Sequence, residues 1–376
     1  MSNFLGEFLI IIFGIILLGY VITNIYFGTL ILKKIKIKKQ LIKIIYWTIF
    51  SFIFLAFIIS SIFASYIPED INRVIYVIGA YYLSVYLYGI VIFVISKIIN
   101  IYLKKKGSKV NIYMFSIILL ICVEVIGVYS SKNTKITEYS VRTNKLTSEQ
   151  QLKIAMVSDI HLGNVYGKND VKEIVDKVND YKPDIVLIPG DLVDGDLSIV
   201  LSKDMLSPLK ELRSTYGTYM TLGNHDIYTN ETKKLEKVLN KNNVTLLKEE
   251  CKLINNSFYL AGMSYSTDNN DYDSKLNYVL KDTDNSKPII LLDHNPINVD
   301  SVINKNVDLL VSGHTHKGQF FPGNLVTDML YKIDYGFKKY NNTNVVVSSG
   351  YGTWGPPIRV CTKSEIVEIN LKMGEE

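Results

Sequence analysis

The chain has 376 residues, 48% of them hydrophobic, which is enough for two or three domains. Its charge is split: residues 1–149 hold 16 Lys and Arg against 6 Asp and Glu, a balance of +10, while the whole chain is +5, so residues 150–376 carry −5. The acidic C-terminal part therefore has no basic surplus to suggest a groove for nucleic acid, and the Ile-, Leu-, Phe- and Tyr-rich first third is not ordinary soluble composition.

Four apolar stretches, about 4–32, 41–67, 74–103 and 111–129, are close to the roughly 20 residues that a bilayer helix needs. A cleaved signal peptide fits the first poorly, because no basic residue precedes it, it is too long, and Lys-rich sequence follows. The pattern predicts a transmembrane domain of four helices over residues 1–130. Lys33, Lys34, Lys36, Lys38, Lys39 and Lys43 follow the first span. Lys104, Lys105, Lys106 and Lys109, with Lys97 nearby, follow the third, and the loop 68–73 is nearly neutral. The positive-inside rule then puts both Lys loops in the cytoplasm and the C-terminal domain on the extracytoplasmic face; Lys132, Lys135, Arg142 and Lys145 pull the other way.

Glu124, about a turn and a half from the outer end of the fourth span, reads as interfacial, and Tyr81, Tyr82, Tyr86 and Tyr88 as an interface belt or a helix contact. Residues 131–150 are rich in Ser, Thr, Asn and Lys and read as a polar linker of no more than roughly 65–70 Å, which keeps the domain 151–376 near the membrane. Cys122 falls in a span; Cys251 and Cys361 could pair outside the cell, with two unpaired, buried thiols as the preferred reading.

Beyond residue 150 strand and helix signals alternate. Strands are expected at 152–158, 184–189, 216–222, 288–292, 307–311, 345–348 and 366–371, with helices at 170–180 and 231–240. Residues 244–253 and 258–263 read as a strand pair. Five of these strands end in polar motifs: Asp159-Ile160-His161, Gly190-Asp191-Leu192-Val193-Asp194, Gly223-Asn224-His225-Asp226, Asp293-His294 and Gly313-His314-Thr315-His316. In α/β sheets that edge is where ligands bind. All five histidines of the chain sit in these motifs. Singly the motifs have bland readings: a helix cap for Asp191, a turn for Gly223-Asn224-His225-Asp226, a satisfied core histidine for His294. Together they offer imidazoles, carboxylates and an amide without thiolate, a mixed N/O set that suits Mn²⁺, Fe or Zn²⁺. Two such cations about 3.5–4 Å apart can activate a shared water and clamp phosphoryl oxygens.

The order D-x-H, G-D-x-x-D, G-N-H-D, H, G-H-x-H resembles the calcineurin-like metallophosphoesterase superfamily over about residues 152–371. Residues 314–319 and 348–359 look like its branch with membrane-anchored and UDP-2,3-diacylglucosamine pyrophosphatase-like enzymes. The chain departs from that branch at Lys317, where Gly is frequent. The resemblance implies an α-helical membrane domain followed by an α/β domain, a four-layer αββα sandwich. It implies one metal on Asp159, His161, Asp191 and His316, and a second on Asp191, Asn224, His294 and His314, with Asp191 bridging. His225 matches the family's proton donor and Asp194 the carboxylate paired with it. The expected cofactors are two divalent ions, Mn²⁺ first, with Fe or Zn²⁺ as alternatives.

The expected activity is hydrolysis of a phosphodiester or pyrophosphate bond in a lipid-linked or cell-envelope substrate, with the lipid bilayer and a phosphorylated lipid or envelope precursor as partners and no nucleic acid. The alternatives are a soluble nucleotide or nucleic-acid phosphodiesterase, a non-catalytic metal-binding membrane sensor, and a channel or transporter, which the few intramembrane charges disfavour.

Overall fold

The computed structural model describes residues 2–107, 110, 112–145, 150–266 and 271–374; Lys109 and Asn111 lie outside them. The chain divides into two compact units, Met1–Tyr86 and Leu87–Glu376.

The first unit holds α1 (Ser2–Ile35), α2 (Gln40–Ile62) and the start of α3 (Glu69–Lys105). With α4 (Ile112–Lys132) of the second unit, these are four helices long and apolar enough to cross a membrane. Large apolar side chains such as Ile15, Ile16, Ile22 and Ile49 stand exposed, as helices surrounded by lipid require. Polar side chains face one another inside the unit. Thr23 Oγ1 lies 2.6 Å from Tyr86 Oη, Tyr82 bonds Asn24, and Tyr20 stacks edge-on against Tyr86. Part of the tyrosine cluster is thus a helix contact, its hydroxyls satisfied where water is excluded.

The second unit contains the rest of α3, α4 and the α/β domain. Residues 131–150 are not a linker throughout. Helix α4 runs to Lys132, and two residues later the chain enters β1 (Lys135–Thr143). The strand escaped detection because its inward alternation, Thr137, Tyr139, Val141 and Thr143, is half hydroxyl. Those hydroxyls have fixed partners: Thr137 Oγ1 donates to Glu365 Oε2 at 2.8 Å, and Thr143 bonds Asp308. The end of α4 is fastened as well, since Arg359 N donates to Gly127 O at 2.9 Å and Ser131 Oγ to Pro357 O at 3.0 Å. The α/β domain is therefore seated on α4 directly.

Two six-stranded mixed sheets form the domain. The first has the order β1-β12-β2-β3-β4-β5, with β2 (Gln150–Met156), β3 (Ile185–Pro189), β4 (Thr218–Thr221), β5 (Val244–Leu246) and β12 (Glu365–Met373). The second has the order β10-β11-β9-β8-β7-β6, with β6 (Glu250–Ile254), β7 (Phe258–Met263), β8 (Ile289–Asp293), β9 (Leu309–Ser312), β10 (Gly336–Tyr340) and β11 (Thr343–Val347). Alternation along each strand builds three apolar layers. On β3, Ile185 and Leu187 join Ile290, Leu292 and Val311 between the sheets. Val186 and Ile188 face the opposite way, with Ile174 and Val178 of α5 (Lys168–Tyr181) and Leu235 of α8 (Thr232–Lys241). Beyond the second sheet, Ile289 and Leu291 pack with Leu276 of α9 (Tyr272–Leu280). This is helix, sheet, sheet, helix, the expected four-layer sandwich.

One expected strand pair is corrected. Residues 244–253 do not form one strand: β5 pairs with β4 in the first sheet, and only β6 pairs antiparallel with β7 in the second. The chain changes sheets at Leu247–Glu249, where Glu249 takes φ 48°. No glycine, proline or asparagine marks that turn in the sequence Leu247-Lys248-Glu249-Glu250.

Candidate metal centre

Strands β2, β3 and β4 run parallel, as do β7, β8 and β9, so their C-terminal ends converge on one edge of the sandwich. Asp159 and His161 follow β2, Asp191 follows β3, Asn224 opens α7 (Asn224–Tyr228) after β4, His294 follows β8, and His314 and His316 follow β9. The two sheets meet here: His294 Nδ1 lies 2.8 Å from Pro189 O at the end of β3.

The seven expected ligands form two overlapping sets. His161 Nε2 lies 3.1 Å from His316 Nε2, which is 3.4 Å from Asp159 Oδ1. His294 Nε2 lies 3.2 Å from each of Asp191 Oδ2, Asn224 Oδ1 and His314 Nδ1. Asp191 Oδ2 belongs to both sets, being 3.8 Å from His161 Nε2. Donors bound at about 2.1 Å to one ion stand about 3.0 Å apart in octahedral and about 3.4 Å apart in tetrahedral coordination, so these spacings suit a divalent cation in each set. All seven residues are buried or nearly so.

The backbone is held in an unfavourable form to achieve this. Asp159, His161, Asp191, His314 and His316 have φ between 49° and 69°. The left-handed region costs non-glycine residues roughly 1 kcal/mol each, and such outliers gather where function demands them. Glycine is required beside them: a Cβ on Gly223 would stand 2.1 Å from Asp191 Oδ1, and one on Gly313 would stand 1.9 Å from Ser158 Oγ.

Protonation follows from crowding. Burial opposes charge on Asp191, but His294 and His161 outweigh it and hold its carboxyl below the usual range. Burial likewise opposes a proton on His294; Asp191 outweighs it and raises the imidazole to about 10. His314 is pushed down to about 3 by burial and by His294. His316 is held well below its ordinary value by burial, His161 and Arg359, which keeps its imidazole neutral. With its Nδ1–H on Pro189 O, His294 presents Nε2 to the site.

At the rim, His225 Nδ1 lies 3.0 Å from Asp194 Oδ1, and the same oxygen is 3.2 Å from His161 Nδ1. Burial would raise Asp194, but bonds from both histidines bring it down to about 2, so it remains a carboxylate. His225 and Asp194 are both partly exposed, and the pairing through Nδ1 leaves His225 Nε2 free of that contact.

Two residues of the site were quoted in the motifs without a role. Asp226 is fully buried and accepts three backbone N–H groups, from Asp191 (2.8 Å) and Gly223 (2.9 Å) on Oδ2 and from Val193 (2.9 Å) on Oδ1. It ties the Asp191 loop to the Asn224 loop, although burial and the charge of Asp191 push it up to about 7. Arg359 is also fully buried. Its Nη2 donates to the carbonyls of Ser349 (2.7 Å), Gly350 (3.0 Å) and Gly352 (2.6 Å) and lies 3.3 Å from His316 Nδ1. The sequence signal for both was their place inside the motif stretches.

The family model described as calcineurin-like phosphoesterase matches residues 152–318. An uncharacterized metallophosphoesterase of Aquifex aeolicus is 34% identical over 250 residues, which cover 63% of this chain and 92% of that protein. The chain belongs to the calcineurin-like metallophosphoesterase family. An uncharacterized metallophosphoesterase of Helicobacter pylori is 36% identical over 246 residues, 63% of this chain and 64% of that protein. A bovine (Bos taurus) protein named "transmembrane protein with metallophosphoesterase domain" is 32% identical over 254 residues, 63% of this chain and 57% of that protein. The matched segment thus spans less than two thirds of the Helicobacter and bovine proteins. Family membership accords with three His/Asp groups among the described residues, Asp159-His161-His316, His161-Asp191-His225 and Asp191-His294-His314, each of which could hold a metal ion.

Proposed function

We propose that this metallophosphoesterase hydrolyses a phosphodiester or pyrophosphate bond in a lipid-linked or cell-envelope substrate at a dinuclear metal centre. The observation that carries the reading is the placement of Asp191 Oδ2 between two donor sets, with the His225–Asp194 pair at the rim. Two divalent cations bound there supply Lewis acidity toward the phosphoryl oxygens and an activated water. Asp159, His161, Asp191 and His316 hold one, and Asp191, Asn224, His294 and His314 the other. Mn²⁺ is the first candidate, with Fe and Zn²⁺ open to the same donors.

The chain's own groups do the rest. Asp194 holds His225 by Nδ1 and so turns Nε2 outward, from where it delivers a proton to the leaving oxygen. Asp226 holds the Asp191 and Asn224 loops in register. The membrane-linked substrate is supported by the seating of the domain on the end of α4, which leaves the centre close to any bilayer that helix crosses. The Lys-rich loops between the spans support a place for the domain on the extracytoplasmic face.

Phosphorus NMR of envelope lipids and glycolipid precursors, incubated with the full chain and Mn²⁺ with and without chelator, tests this. The expected result is a chelator-sensitive change from diester or pyrophosphate to monoester signals. Unchanged lipids, with a soluble aryl phosphodiester still cleaved, would retain the chemistry and refute the lipid substrate in favour of soluble nucleotides.

A further inference from the structure

Helix α11 (Gly323–Leu330) follows the metal-ligand loop and is built the wrong way round for water. Its polar residues Asn324 and Thr327 are on the less exposed side, and Thr327 Oγ1 donates to Asp334 Oδ2 at 2.7 Å. Its apolar residues point outward: Leu325 is 52% exposed, Val326 53%, Met329 85% and Leu330 68%. With the exposed Pro322 they recur at i, i+3, i+4, i+7 and i+8, one continuous face, while Asp328 falls on the polar flank. Phe321 is exposed at its start, and Trp354, also exposed, packs against Phe320 with ring centroids 6.0 Å apart. An outward apolar face of this size on a short helix marks a surface meant for another apolar phase.

The start of α11 is fastened to α3 and lies beside α4. Tyr88 of α3 donates from Oη to Phe321 O at 3.0 Å, and Phe321 N donates to Val360 O at 3.1 Å, next to the strap that bonds Gly127 of α4. Tyr88 adjoins Gly89, which packs toward Leu120, near the middle of α4. Gly127 lies five residues, about 7.5 Å, inside the end of that helix. Phe321 and the strap at Ile358 therefore touch α3 and α4 along their apolar lengths, where the surrounding medium of a membrane-crossing helix is lipid.

We infer that α11 with Phe321 is an interfacial helix that dips its Leu325–Val326–Met329–Leu330 face into the bilayer beside α3 and α4, so that one wall of the metal centre rests on the lipid surface. The wall is stiff. Gly318, two residues past His316, packs so closely on α11 that a Cβ there would stand 2.1 Å from Asn324 N, and Tyr331 at the far end has its ring centroid 6.4 Å from that of His314. Seating α11 thus sets the height of both His314 and His316 above the lipid. The inference rests on α3 and α4 crossing a bilayer and is independent of turnover or substrate.

Nitroxide labels at Met329→Cys and Leu325→Cys test it, in a full-length chain whose Cys122, Cys251 and Cys361 are Ser, reconstituted in phosphatidylethanolamine/phosphatidylglycerol nanodiscs. Tyr278→Cys on α9, 64% exposed, is the aqueous control. Power-saturation electron paramagnetic resonance compares collision with dissolved oxygen and with an aqueous nickel chelate. Labels at 325 and 329 are expected to favour oxygen over nickel and the control to favour nickel. Nickel access at 325 and 329 equal to that of the control would overturn the inference. So would exclusion of both reagents, which would mean protein, such as a second copy, covers the face. Met329→Trp with native cysteines gives a second readout: brominated lipid should quench it more than Tyr278→Trp, and equal quenching would refute the placement.

Discussion

Replacing Asp226 by Asn is the sharpest test of how the centre is held, because Asp226 is placed to hold the site and not to bind a metal. The carboxylate accepts three N–H groups on two oxygens, two on Oδ2 and one on Oδ1. An amide keeps its oxygen toward Asp191 N and Gly223 N and must then point NH₂ at Val193 N. Above pH 7, where the carboxyl is charged, one bond to a charged acceptor, worth about 1.5–3 kcal/mol, is lost, and a buried donor faces another donor. The net loss is about 2–4 kcal/mol, or roughly 5–15 °C in the apparent melting temperature of a domain of this size. Since the same contacts fix Asp191, affinity for divalent ions should also fall about 10–100-fold, the usual effect of disturbing a residue behind a ligand. Calorimetric titration of the chelated chain with Mn²⁺, beside melting with and without metal, reads both effects. Wild-type affinity and a melting temperature within about 1 °C would refute the assignment.

Changing His225 to Ala should lower turnover about 10²–10⁴-fold with the metal content per chain unchanged by elemental analysis; intact turnover would remove it as proton donor. Asp191→Ala should empty both positions, since its Oδ2 serves both donor sets; retention of two ions per chain in native mass spectrometry would refute the bridge. Protease added to intact cells should cleave within the α/β domain, and complete protection, with cleavage after lysis, would put that domain in the cytoplasm.

The candidate metal-ligating side chains could be named from the sequence because their chemistry is local to short motifs: each motif follows a strand, and imidazole, carboxylate and amide types survive any rearrangement of the chain around them. The strands themselves were legible where the run was continuously apolar, as in β3 and β8, and missed where the inward face was hydroxyl-rich, as in β1. The change of sheet at Leu247–Glu249 was hidden because one residue with φ 48° redirects the strand without altering its composition. Asp226 and Arg359 stood in view, yet their work consists of bonds to backbone groups, and backbone partners leave no mark in side-chain sequence.

By itself, then, the sequence determined the chemistry: which residues can bind metal, in what order, behind four apolar helices. The tertiary structure decided what depends on contacts between distant segments. It set which oxygen of Asp191 faces both donor sets, which carboxylate holds the loops in register, and that Gly127 of α4 is bonded to Arg359. It also decided which side of α11 is turned outward. The amphipathic pattern of that helix is equally compatible with a core, and the docking of Thr327 onto Asp334 and of Asn324 against Gly318 turns its apolar face outward.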